Sequence, residues 1–193
     1  MRFVGRVALV LAVSCVVLAV TVSSSSGQGK PNMKLVKRGE YLVKTTGCGD
    51  CHTPWKMGPK GMEQDMSRML SGHPQDMTMP ASPVSSPGPW LGSFASSFTA
   101  WAGPWGVSFT RNLTPDKETG LGDWTEQNFI ATIRTGKRMG KGRDLLPPMP
   151  WPAFKNMTDN DLKAIFAYLR TIPVIKNNVP EPIPPAGQQG NAK

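Results

Sequence analysis

Cys48-Gly49-Asp50-Cys51-His52 is the stretch whose reading decides the fold. C-x-x-C-H is the attachment signature of a c-type haem. Two thiols three residues apart can each add to a vinyl group of one porphyrin, giving two thioethers. The adjoining imidazole is then held beneath the iron as an axial ligand. A C-x-x-C pair can also be a redox-active disulfide or half of a zinc site. Zinc needs two further ligands, and the remaining Cys and His are Cys15 and His73. A thioredoxin-like pair belongs near a βαβ pattern, and none is visible. The motif reads as covalent haem c attachment through Cys48 and Cys51, with His52 on the iron, and one motif implies one haem.

The N-terminus agrees with that chemistry. Residues 1–27 read as a signal peptide: Arg2 and Arg6 form a basic start, Val7 to Val22 is uncharged and apolar, and Ser23-Ser24-Ser25-Ser26-Gly27 supplies small residues for cleavage. An uncleaved anchor is the rival, but the apolar run is short of the about 20 residues a span needs. Cys15 loosely resembles a lipobox cysteine, yet Val16 to Val20 continues the apolar run past it, so it reads as an incidental small residue. Cleavage leaves Cys48 and Cys51 as the thiols, which excludes a disulfide framework. The chain is therefore expected to be periplasmic or otherwise exported, and membrane-associated if the segment stays attached. Covalent haem attachment belongs to that side of the membrane, where an exported C-x-x-C would otherwise tend to oxidise.

The formal charge of +9 falls to +7 when Arg2 and Arg6 leave. A basic surface suits an acidic redox partner or an anionic membrane and raises encounter rates in a salt-dependent way; it is equally consistent with a merely solvated surface. Nucleic acid is a poor partner for an exported protein.

Residues 28–33 read as a mobile leader. Leu35, Val36, Leu42 and Val43 recur at helical intervals, predicting a helix over 34–47 that Gly47 stops just before the motif. Residues 53–80 are rich in Met, and Met62, Met66 and Met69 fall at i, i+4 and i+7, a helical stripe. Thioethers can capture copper, but gap-filling packing is the commoner use of Met and is the expectation here. Residues 80–110 alternate Pro, Ser and Gly with Trp90, Phe94, Phe98, Trp101, Trp105 and Phe109. This segment reads as an irregular or hairpin-bearing insertion whose aromatics pack on a core. Thr125 caps a helix to about Thr135, with Gly136 at its stop. Thr158 caps the last helix, whose stripe is Leu162, Ile165, Phe166 and Leu169. Residues 173–193 carry five prolines and read as an extended arm followed by a disordered tail.

The sixth ligand decides the function. A strong ligand favours outer-sphere electron transfer, and a vacant position favours small-molecule binding or catalysis; Met/His ligation also raises the reduction potential. Met149 lies in Leu146-Pro147-Pro148-Met149-Pro150-Trp151, where prolines stiffen the loop. Met79, Met139 and His73 are rivals that local chemistry leaves open. The proximal imidazole should donate its other N–H to a backbone carbonyl; Pro59 or its neighbours are candidates, and the spacing does not identify one.

The block Gly106-Val107-Ser108-Phe109-Thr110-Arg111-Asn112-Leu113-Thr114-Pro115-Asp116 continues to Thr119-Gly120-Leu121-Gly122-Asp123-Trp124-Thr125. Pro148-Met149-Pro150, Met157-Thr158-Asp159-Asn160-Asp161-Leu162 and Ala167-Tyr168-Leu169-Arg170 follow in order, and Gly39-Glu40-Tyr41-Leu42-Val43 precedes the motif. Over 34–58 and 106–175 the chain resembles the haem modules of class I c-type cytochromes that serve as cytochrome subunits of membrane-linked alcohol and gluconate dehydrogenases. The resemblance implies a mainly α cytochrome c fold spanning 34–175, with first and last helices crossing near Gly39, Tyr41 and Tyr168. It makes Met149 the axial methionine and sets Asn112 and Trp124 at the haem edge, within reach of a propionate. The chain departs from the pattern in its single haem motif, in lacking a C-terminal membrane anchor, and in the long insertion over 60–105; residues 176–193 form the Pro-rich tail.

Together these features predict an exported monohaem cytochrome, an electron carrier rather than an enzyme. It would pass single electrons between periplasmic or membrane redox protein partners such as a dehydrogenase or a terminal oxidase. One alternative is a haem protein whose sixth position opens, peroxidase-like or ligand-binding. The other is a haem-containing docking subunit of a dehydrogenase complex.

Overall fold

The structure is a computed structural model, and it describes residues 31–79 and 90–185. The expected signal peptide and the first half of the expected leader lie outside them, as do residues 80–89 of the insertion and the last eight residues of the tail.

Helix α1 spans Met33–Thr45 and is capped by Asn32, whose side chain accepts from the Lys34 and Leu35 amides. It buries Val36, Gly39, Leu42 and Val43 on one face. Helix α2 is the short turn Cys48–His52, entered through Gly47 in the left-handed region (φ 70°). Helix α3 runs Glu126–Thr135 behind a reciprocal Thr125–Asn128 capping box and ends at Gly136 (φ 69°). Helix α4 is one turn, Trp151–Phe154. Helix α5 covers Asp159–Leu169, with the Thr158 side chain accepting from the Asp161 amide and Asp159 and Asp161 in its first turn. Caps of this kind are worth about 0.5–2 kcal/mol each.

Helices α1 and α5 cross at Gly39. A Cβ added there would fall inside contact distance of the Ala164 carbonyl and 2.8 Å from Tyr168 Cβ. Only a glycine lets the two backbones approach so closely. Arg38 Nε donates to Asp161 Oδ1 (2.9 Å) beside the crossing. Tyr41, expected there, is instead 58% exposed and carries the Arg38 guanidinium over its ring. Leu42, Val43, Phe129, Ile133, Leu162 and Leu169 belong to the buried cluster that these helices close around.

The methionine stripe is not helical. Residues Trp55–Gly58 (β1) and Gly61–Gln64 (β2) form an antiparallel hairpin in which Met57 opposes Met62, and Met66–Arg68 is a single 3-10 turn. Gly58-Pro59-Lys60-Gly61 reverses the chain, with Gly61 at φ 114°, and turn chemistry of this kind outweighs a three-residue periodicity. Packing holds for part of this methionine-rich stretch: Met69 packs on the main core and Met79 on a second, smaller core, whereas Met57, Met62 and Met66 are 73%, 41% and 60% exposed.

The aromatic stretch forms a three-stranded antiparallel sheet in the order β3 (Ser93–Phe94), β4 (Ala100–Gly103), β5 (Gly106–Phe109). Ring contacts run from Trp101 to Phe94, to Phe98 and on to Trp55 at centroid separations of 5.0, 4.9 and 5.2 Å. The sheet has its own small core of Ala100, Ala102, Val107 and Phe109, closed by Val179 from the C-terminal arm. That arm is fastened as far as it is described. Ile183 exchanges both backbone hydrogen bonds with Val107. The Asn177 amide, buried, donates to Ser71 O (2.7 Å) and His73 O (2.8 Å) and accepts from the Gln75 amide (2.9 Å).

Candidate functional site

Helices α2, α3, α4 and α5, strand β5 and the loops between them line a cavity of about 320 Å³ that is mostly apolar, within the range of cofactor pockets, about 300–1,000 Å³. Cys48, Cys51 and His52 contribute from α2, which presents the two thiols one helical turn apart and the imidazole next to them. Met149 contributes from the proline loop, where Ser108 Oγ donates to the Pro147 carbonyl. Four sequence-selected residues from distant stretches thus line one space.

His52 Nδ1 lies 2.8 Å from the Arg111 carbonyl oxygen. A carbonyl can only accept, so Nδ1 carries the proton and Nε2 keeps its lone pair. Nε2 has no hydrogen-bond partner among the described residues. Burial holds the imidazole below its ordinary pKa, against the contrary pull of that hydrogen bond, so the neutral, ligand-competent form prevails at neutral pH. The acceptor is Arg111, not Pro59 or its neighbours. Pro59 sits in the β1–β2 turn, while Arg111 follows β5 and runs past α2, where the Gly72 amide also takes the His52 carbonyl (2.8 Å).

Both cysteines are free. Burial pushes the Cys48 and Cys51 thiols up, with Thr46 opposing at Cys48. Reactive C-x-x-C pairs have lowered pKa values, so the pair does not resemble a thioredoxin-type centre. Among the described residues no group of three His, Cys, Asp or Glu side chains could hold a metal ion.

The rival ligands lie elsewhere. His73 is fully buried, with Nδ1 2.9 Å from Thr99 Oγ1 and Nε2 3.0 Å from the Met77 carbonyl, and its ring packs on Phe109 at 4.8 Å. Met79 packs against the small sheet core. Met139 sits in the 3-10 turn Arg138–Gly140 with φ 53°. None of the three lines the cavity. Met157 does line it; it lies in a helix-start motif rather than a proline loop, so no local signal marks it as a candidate ligand. Asn112 is also spent. Its Oδ1 accepts from the Thr114 amide and hydroxyl, and its Nδ2 donates to Thr119 Oγ1 and the Ile175 carbonyl, so its polar atoms tie the arm to the cavity wall. Asn112 and Trp124 both line the cavity.

Paired thiols, a neutral imidazole with one free nitrogen and an apolar slot suit a flat tetrapyrrole attached through its edge, and these residues fit a haem. Such a helical domain is a haem-binding electron-carrier module. The cytochrome c family model matches residues 36–173, and the chain belongs to that family. Membership implies a covalently bound haem with its iron.

The chain is similar to the gluconate 2-dehydrogenase cytochrome c subunit of Pantoea cypripedii, 31% identical over 155 residues that cover 79% of this chain and 27% of that protein. It is similar to the alcohol dehydrogenase (quinone) cytochrome c subunit of Gluconobacter oxydans, 27% identical over 82% of this chain and 25% of that one. The fructose dehydrogenase cytochrome subunit of Gluconobacter japonicus is 27% identical over 70% of this chain and 21% of its own length. The chain spans about a quarter of the length of these relatives.

Proposed function

We propose that the chain is an exported monohaem c-type cytochrome that passes single electrons between periplasmic or membrane redox partners, a dehydrogenase foremost among them. The observation that carries this reading is the shared cavity of Cys48, Cys51, His52 and Met149. Bound haem supplies a one-electron iron couple. Cys48 and Cys51 attach it through thioethers. His52 offers Nε2 to the iron, its ring aimed and made more basic by the Arg111 carbonyl. Met149 is the second axial ligand, carried by a loop that its prolines and the Ser108 hydrogen bond stiffen. With both axial positions filled, no acid–base residue is required. The relatives' names supply the dehydrogenase partner, and the basic charge supports an acidic docking face on it. The first 27 residues supply export; no helix among the described residues is long and apolar enough to cross a membrane.

The test is direct. The protein produced by an exporting, haem-maturating host should keep its haem through denaturing electrophoresis, and the ferrous form should bind carbon monoxide slowly. Loss of haem on denaturation contradicts covalent attachment. Rapid carbon monoxide binding contradicts the electron-carrier reading in favour of an open sixth position.

A further inference from the structure

Every charged side chain in the lining of the haem cavity is an arginine: Arg111, Arg138 and Arg143. Arg138 is exposed and the other two half-buried, so the three stand where the cavity meets solvent. Among the described residues their carboxylate partner is Glu181 of the C-terminal arm, 3.3 Å from Arg111 Nη2 by one oxygen and 3.3 Å from Arg143 Nε by the other. Arg138 has no carboxylate partner among those residues; its guanidinium lies 5.8 Å from the ring centroid of Trp124, which also lines the cavity. Basic residues away from the cavity are paired differently, as in Arg38–Asp161, Arg134–Asp159 and Lys137–Asp144.

Two positive charges are therefore unmatched at the edge of an apolar space. Burial lowers the Arg111 pKa; Glu181 opposes that shift, while Arg143 and Arg138 add to it by repulsion. Thr110 Oγ1, in the same lining, is buried with no hydrogen-bond partner. Arginine forks match carboxylates in geometry and charge, and haem carries two propionates, the number of charges left over.

We propose that Arg138 and Arg143 take the two propionates of the bound haem, with Glu181 balancing the third charge at Arg111. The proposal rests on the haem reading of the cavity. The arm then does more than close the sheet core, because it carries the one anion that sets the net charge of the arginine set.

The experiment uses the full haem-loaded chain and the variants Arg138→Gln, Arg143→Gln and Glu181→Gln. It reads the propionate bending bands in resonance Raman spectra and the reduction potential. Arg138→Gln and Arg143→Gln should each shift those bands and lower the potential, since losing a nearby positive charge favours ferric iron. Glu181→Gln should raise the potential, and all three shifts should shrink as salt screens them. If Arg143→Gln loosens the arm and fails to fold, Arg138→Gln decides alone, because its guanidinium holds no other carboxylate. Bands and potentials that superpose on the parent protein, with haem covalently attached, overturn the arginine site and leave the haem reading intact. A parent protein without covalent haem overturns both.

Discussion

Replacing Asn177 by alanine should free the C-terminal arm. The side chain is 1% exposed and makes three hydrogen bonds across the domain, to Ser71 O, to His73 O and from the Gln75 amide. A hydrogen bond contributes about 1 kcal/mol net, and a buried partner left unpaired costs about 1–3 kcal/mol. Gln75 lies near solvent and can take a water, so the two buried carbonyls dominate, for a loss of about 2–4 kcal/mol. With a urea slope of about 2 kcal/mol/M, the unfolding midpoint of the haem-loaded protein should fall by about 1–2 M. Asn177→Asp keeps the acceptor for Gln75 but turns an oxygen toward the two carbonyls, so at pH 7 it should be at least as damaging. The consequence reaches the site, because the same arm delivers Val179 to the sheet core, Glu181 to the arginines and Pro182 to the cavity wall. A midpoint shift below about 0.3 M for both variants, with the slope unchanged, would refute the reasoning.

Gly39→Val should part helices α1 and α5. Its better helix propensity gains at most about 1 kcal/mol, while overpacking against the Ala164 carbonyl and Tyr168 costs about 1–3 kcal/mol or more. Calorimetry should show a lower Tm, and an equal or higher Tm would mean the helices are not in contact there. His73 supplies a pH dependence. Burial lowers its pKa in the folded state, so the neutral ring's contribution is present above the unfolded value, about 6.5, and is lost as pH falls through the depressed folded value. Urea midpoints should fall between pH 7 and pH 5, and less steeply in His73→Gln; parallel slopes would show that His73 does not titrate on unfolding.

What the sequence made legible was whatever is local. The capping signals at Thr125 and Thr158, the glycine stops at 47 and 136 and the helical stripes of α1 and α5 each act within a few residues, and each stands in the fold. So does the close approach at Gly39. Two failures have a common cause. The methionine stripe followed three residues and overlooked the Gly58-Pro59-Lys60-Gly61 reversal beside it, which commits the flanks to a hairpin. The acceptor for His52 is not marked in the sequence, because a backbone carbonyl has no residue-type signature, and Arg111 becomes its partner only through the path of β5 and the loop after it. Asn112 carried a motif but not its purpose, since the bonds it makes to the arm join residues 63 positions apart. The arginine set is invisible in sequence for the same reason: residues 111, 138, 143 and 181 meet only in three dimensions.

The central claim is that His52 and Met149 share one iron, and two methionines line the cavity. The most direct measurement is the weak red absorption band of methionine-ligated ferric haem, recorded for the parent protein, Met149→Ala and Met157→Ala. The account predicts the band in the parent and in Met157→Ala, and its loss in Met149→Ala with covalent haem retained. A band that survives Met149→Ala, or that vanishes in Met157→Ala alone, contradicts it.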